Sequence, residues 1–246
     1  MRNPVTLQER LRRSRQAGVT LIELMVSLVI GLIILGAVLT FVVSAVRANS
    51  ETVVDMRLTQ DLRTTINLLT REIRRTGYDR IAEQGIASGS GNFSRYLDVA
   101  VNTAGDCIVM SYNQPAANAS DTAVDAKERK GFRLVQSGGV GVIEAGTGLS
   151  AVAATECTAG TWTPLTDPRQ VDISTLDFSL AETCIYPTPA RCMSTASEPY
   201  AIVRSVDITL EGALVRQPDV VRRLTDSVRI RADTLHFPTP APAPTP

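Results

Sequence analysis

The sequence predicts an α+β fold in which one long N-terminal helix packs on an antiparallel β-sheet head. Three observations predict it. Leu24–Val46 is an apolar run of 23 residues without a charge, and no proline falls between Pro4 and Pro115. An amphipathic stripe at helical spacing continues that run. Beyond it, short apolar segments alternate with turns, and the later ones carry period-2 patterning.

Residues 1–18 hold five arginines (Arg2, Arg10, Arg12, Arg13, Arg15) against one acid, Glu9. The remainder holds 20 basic and 24 acidic groups, so its mildly acidic balance argues against general nucleic-acid binding. As a helix, Leu24–Val46 spans roughly 34 Å, enough for a hydrocarbon core of ~30 Å. It is too long for a secretory signal, and no A-x-A cleavage site precedes Arg47. A plain anchor fits better, with the basic residues holding the N-terminus in the cytoplasm. That reading leaves Glu23 unexplained, since a carboxylate at mid-bilayer costs on the order of 2.5–3.5 kcal/mol. Cleavage after Gly18 would create an ammonium on Val19, four residues from Glu23, as a partner.

Gly18-Val19-Thr20-Leu21-Ile22-Glu23, behind a basic leader, resembles the type III signal of type IV pilins and type II secretion pseudopilins. The resemblance implies that a prepilin peptidase cuts after Gly18 and N-methylates Val19, with Glu23 docking one subunit on the next. The family usually has Phe where this chain has Val19. It also implies a single-pass protein of the bacterial inner membrane with a periplasmic head, which leaves lipid for a pilus or pseudopilus.

The expected organisation is a leader over 1–18, a transmembrane or filament-core helix over 19–46, and its amphipathic continuation over 47–77. A β-rich head then covers 78–237, and a proline-rich tail covers 238–246. In the continuation Val54, Leu58, Leu62, Ile66, Leu69 and Ile73 form the apolar stripe, and Gly77 reads as the stop. A helix from Val19 to Thr76 would be roughly 87 Å long. Gly31 and Gly36 read as ordinary glycines of a membrane helix, with close helix packing as the alternative.

After Arg80, "EQGIASGSGNFS" is a turn-rich linker. Expected strands are 107–112, 131–136, 140–145, 171–180, 201–212 and 226–233, with a hairpin at "SGGVG". Val203, Ser205, Asp207 and Thr209 should face away from Arg204, Val206, Ile208 and Leu210.

"LLTREIRRTGYDR" at the helix end and the pair "RSVDITLEG…DSVRIRAD" narrow the resemblance to PilW-type minor pilins, related to type II secretion pseudopilin J. That resemblance implies a minor pilin that helps initiate pilus assembly. Its partners would be prepilin peptidase, other minor and major pilins, and an inner-membrane assembly platform. A J-like pseudopilin and a pilus-tip adhesin or DNA-uptake pilin are the alternatives.

Four cysteines, all beyond the apolar run, suit disulfides on an exported side. Among three connectivities the expectation is Cys184–Cys192 with Cys107–Cys157; the other pairings and unpaired thiols remain alternatives. Asp121, Asp125 and Glu128 lack the glycine and alternating ligands of a calcium loop and read as a solvated segment. "GGVGVIEAGTG" lacks the Gly-Lys-Ser/Thr of a phosphate loop. Arg71, Arg74, Arg75 and Arg80 read as a solvated helix end, with acidic neighbours or DNA as the alternative. The single histidine, His236, stands just before the proline-rich tail and has no catalytic setting. No enzyme activity, metal, cofactor or small-molecule substrate is expected.

Overall fold

The computed structural model describes residues 18–83, 94–114, 124–185 and 200–236. The leader up to residue 17, most of the linker, Asp121, Cys192 and the proline-rich tail lie outside the described residues. The described chain divides into two units, one ending at Val54 and the other beginning at Asp55.

Helix α1 runs Leu21–Arg74. In the first unit every Val, Leu, Ile, Met and Phe from Val19 to Val46 is exposed. In the second unit the predicted stripe turns inward: Leu58, Leu62, Leu69 and Ile73 are all but inaccessible, and Ile66 is buried. Val54, the first residue of the stripe, is half-buried. Each such aliphatic side chain contributes roughly 1.5–3 kcal/mol on burial. Thr59, Thr64, Thr65 and Thr70 return their hydroxyls to carbonyls four residues back, sharing the acceptors of the helix ladder, so each hydroxyl is satisfied within the helix. The helix stops at Gly77, whose φ of +82° is open to glycine at little cost.

The head holds two antiparallel sheets, where the sequence implied one. The first is a meander in the order β1 (Val99–Val101), β2 (Cys107–Ser111), β3 (Arg129–Ser137), β4 (Val140–Thr147) and β5 (Thr161–Pro164). The second joins β6 (Val171–Ile185), β7 (Tyr200–Leu214) and β8 (Gln217–Arg229), and β9 (Thr234–His236) pairs β7 beyond the end of β8. Where β4 passes β6 the contact is made through a side chain: the Gly141 N–H donates to Asp172 Oδ1 at 2.7 Å.

The "SGGVG" hairpin forms as predicted. Ser137 pairs with Val140, and Gly138 and Gly139 have φ of +63° and +86°. Positive φ at both central residues is the type I′ turn, whose twist matches the flanking strands. β1, β5 and β9 escaped sequence reading because each is only three or four residues long, too short for a period to show. β8 begins earlier than expected and ends at Arg229. Its first half is an edge strand whose residues mostly face water, so no alternation marks it. Arg229 pairs with Asp233 at 3.0 Å across the bend between β8 and β9.

One core joins the helix stripe to both sheets: Ile108, Met110, Phe132 and Ile143 from the first, and Ile173, Phe178, Val206, Ile208 and Val228 from the second. A second cluster on the outer face of the first sheet gathers Cys107, Val109, Leu149 and Cys157, with Trp162 against it. Trp162 lies across Gly131 and Gly146 of β3 and β4, whose missing side chains leave room for the indole.

Candidate functional site

Thr20 starts α1. Its Oγ1 accepts the Glu23 N–H at 3.3 Å, and its carbonyl accepts the Leu24 N–H at 3.1 Å. Thr20-x-x-Glu23 is the sequence signature of a capping box, and an acid in the first turn also complements the helix dipole. The sequence reading passed over this signal, which gives Glu23 a local role in starting the helix. The structure holds only the threonine half of the box. Among the described residues no hydrogen bond or ion pair reaches the Glu23 carboxylate.

The three other polar side chains between Leu21 and Val46 are satisfied inside the helix. Ser27 donates to the Leu24 carbonyl at 3.0 Å, Thr40 to Ala37 at 2.8 Å, and Ser44 to Thr40 at 2.9 Å. None of them needs water, which suits a helix placed in hydrocarbon or among other helices. Glu23 is the exception: along its face lie the apolar Val26 and Ile30, and Ser27, whose hydroxyl is turned to the Leu24 carbonyl. In the described chain α1 is the one helix long and apolar enough to cross a membrane, and none of its most apolar stretch is buried. An apolar surface of this extent marks an interaction with lipid or protein.

The arginines at the far end of α1 are only partly paired. Arg71 Nε and Arg75 NH1 share Glu72 Oε1, each at 3.5 Å, while Glu72 Oε2 accepts the Tyr112 hydroxyl at 2.5 Å. Arg75 also lies over the Tyr112 ring, 4.3 Å from its centre. Arg74 and Arg80 have no acidic partner among the described residues.

The acids read as a solvated segment part company with that expectation at Glu128. It is buried and accepts from the Tyr96 hydroxyl at 2.8 Å, Asn113 Nδ2 at 2.9 Å, and the backbone N–H of Gln114 and Asp125 at 3.2 and 2.9 Å. Among the described residues the 3-10 turn Ala126–Glu128 forms there, and Glu128 at its end points inward. Among the described residues no group of three metal-ligating side chains comes together.

Cys107 and Cys157 form a disulfide with Cα atoms 6.2 Å apart. Cys184 is also disulfide-bonded. Arg133 fastens the Cys157 turn to the sheet: NH1 donates to the Cys157 carbonyl at 2.6 Å, and Nε and NH2 grip Glu144 Oε2 at 2.9 and 2.7 Å. His236 belongs to β9, opposite Tyr200 in register.

A capped N-terminal helix whose first half is apolar but for Glu23 and three self-satisfied hydroxyls, and whose second half turns amphipathic and packs on a disulfide-bonded β head, defines a pilin-like protein. The chain belongs to the family of prepilin peptidase-dependent protein B, whose family model matches residues 51–230. The prokaryotic N-terminal methylation motif matches residues 13–39. No curated protein and no solved structure matches the chain. It is therefore a type IV pilin or pseudopilin, membrane-anchored and processed by prepilin peptidase, and it assembles with other pilins. Proteins of this class are structural subunits rather than enzymes.

Proposed function

We propose that the chain is a minor pilin that primes assembly of a type IV pilus. The peptidase cuts between Gly18 and Val19, and the new Val19 amine is N-methylated. Before assembly α1 crosses the inner membrane with its N-terminus in the cytoplasm and the head in the periplasm. On assembly the Glu23 carboxylate meets the N-terminal ammonium of a neighbouring subunit, and the pair sets the register of entry. One observation carries this reading: Glu23 is the one polar side chain of the apolar half that the helix does not satisfy itself.

N-terminal sequencing and intact mass of the protein extracted from its native membrane test the processing. A chain that starts at Val19 with an added methyl supports it; a chain that starts at Met1 beside an active peptidase overturns it. Glu23→Ala should insert and be cleaved normally yet enter filaments poorly, and normal incorporation would refute the docking role. The J-like pseudopilin alternative predicts co-purification with a secretion machinery instead of pilus proteins.

A further inference from the structure

The start of α1 is set by a side chain rather than by the backbone. The Leu24 N–H reaches the Thr20 carbonyl at 3.1 Å, the ordinary helical bond to the fourth residue back. One residue earlier the pattern fails. In a longer helix the Glu23 N–H would reach the Val19 carbonyl, but here it reaches Thr20 Oγ1 at 3.3 Å. The hydroxyl thus occupies the donor that an extension of the helix towards Gly18 would need. Residues 18–20 lie outside the helix, and among the described residues no hydrogen bond reaches the Gly18 or Val19 carbonyl. Both residues are open. Val19 is 68% exposed, and a Cβ placed on Gly18 would meet nothing within 4 Å.

We propose that Thr20 is a positioning residue for prepilin processing: its cap holds the helix off the Gly18–Val19 bond and so presents that bond to the peptidase. The inference rests on the proposed cut at this bond. Hydrolysis adds one water across the amide. The C–N bond breaks, Gly18 leaves as a carboxylate, and Val19 keeps the nitrogen as an ammonium. Attack needs a free approach to the Gly18 carbonyl carbon and room for a donor at its oxygen. In a longer helix that oxygen would already accept the Ile22 N–H, and the neighbouring turn would cover the carbon. A bond inside regular structure is cut through its opened state, at a rate that follows how much of that state is present. Thr20 makes the opened state the resting one. The cap uses the backbone N–H of Glu23 and leaves its carboxylate free, so this role is separate from docking. Direct reading of the Thr20 side chain by the enzyme predicts a different tolerance at the position. An asparagine oxygen caps a helix as well as a hydroxyl does, but its amide does not fit a pocket shaped for threonine.

The test is the cleavage rate of the full precursor by purified prepilin peptidase in uncharged detergent micelles, read by product mass. Thr20→Ala removes the acceptor and favours helix, and it should be cut roughly three- to tenfold more slowly, the scale of a lost cap. Thr20→Ser and Thr20→Asn keep a capping oxygen and should be cut at the parent rate. Carbon-13 shifts of Gly18 and Val19 in the same micelles should move towards helical values in Thr20→Ala and stay in place in Thr20→Asn. A side chain read only by the enzyme would not produce that shift. Equal rates for Thr20→Ala and the parent chain overturn the proposal. So does slow cleavage of Thr20→Asn with unchanged shifts in Thr20→Ala, which would assign Thr20 to direct contact with the enzyme. A parent chain left uncut at Gly18–Val19, by a peptidase that cuts another prepilin, overturns the processing reading and this inference with it, so the two failures are told apart.

Discussion

The Tyr112 hydroxyl donates to Glu72 Oε2 at 2.5 Å, joining the last turns of α1 to the residue that follows β2. The same ring carries the Arg75 guanidinium on its face, and Arg75 returns to the other oxygen of Glu72. Three side chains thus close a ring of interactions around the helix end. The helix enters the core through its apolar stripe, and this polar contact fixes its rotation where the stripe ends. Tyr112→Phe removes the bond and leaves a largely covered carboxylate short of a donor. The variant should lose about 1.5–3 kcal/mol of head stability, the range for a hydrogen bond to a charged group. Denaturant midpoints of the full chain in micelles would measure it.

The same contact sets an alkaline limit. Burial, then the hydrogen bond to Glu72, pushes Tyr112 up to about 12 from 10.0. Burial likewise pushes Tyr96 up to about 12, with Glu128 adding to it. The folded chain thus holds both phenol protons more tightly than the unfolded chain. The stability they contribute is intact below pH 10 and is lost as pH rises towards 12. Lys130 works the other way, since burial lowers its pKa and deprotonation relieves the folded state. Thermal unfolding of the full chain should therefore fall above pH 10, and less steeply in Tyr112→Phe. Identical slopes in the two proteins would show that Tyr112 is not the titrating group.

Two glycines with positive φ should respond unequally to alanine. At Gly77 a Cβ would run into the Ala232 side chain, and φ is +82°. At Gly138 the space is open and only φ, at +63°, opposes a side chain. Gly138→Ala should cost about 1 kcal/mol from backbone strain alone, and Gly77→Ala several times that, since a clash adds to it. Equal melting temperatures for the two variants would refute the packing argument at Gly77.

The Cys107–Cys157 bridge closes a loop of 50 residues. By loop-closure entropy it contributes about 4 kcal/mol, and Cys107→Ala/Cys157→Ala should lose roughly 2–4 of it. Trp162, the one tryptophan of the chain, sits beside this corner with Arg133 4.3 Å from its ring centre. Its fluorescence should report early loosening in the variant. A midpoint equal to that of the parent chain would mean that the Arg133 clamp holds the turn unaided.

Among the described residues Arg204 is a buried cation with two unmet donors. It is 6% exposed on the inner face of β7, and NH1 reaches the Leu97 carbonyl, while Nε and NH2 have no partner. Burial lowers its pKa, and Glu182, Asp98 and Asp233 only partly offset that from a distance. A buried cation with unmet donors is replaced well by an apolar side chain of similar length. Arg204→Met should be neutral or more stable by about 1–2 kcal/mol, and Arg204→Ala less stable because it leaves a cavity. A loss in the methionine variant as large as in the alanine variant would show that the guanidinium contact with the Leu97 carbonyl outweighs the cost of burying the charge.

How much of this was legible in the sequence depends on the range of the signal. The 3.6-residue stripe from Leu58 to Ile73, the stop at Gly77 and the hairpin at Gly138-Gly139 were all readable, because periodicity and turn chemistry act within a few residues. So was the alternation of β7, down to the inward-facing set Arg204, Val206, Ile208 and Leu210. The isolation of Glu23 was also readable, since an acid before 23 uncharged residues stands out without any coordinates. The Thr20 cap was written there too and was overlooked.

Other features had no local trace. The split into two sheets is set by long-range pairing, as where Asp172 meets the Gly141 N–H across 31 positions, and the edge strands β5 and β8 are defined by their neighbours rather than by their own pattern. Glu128 turned inward because Tyr96 and Asn113, 32 and 15 residues earlier, met it there. The sequence by itself determined the long helix, its two halves and the lone carboxylate, because a solvent preference repeated along a helix is a local property. Only the tertiary structure decided which charges are matched, because a salt bridge or a buried hydrogen bond depends on what the fold brings within about 3 Å.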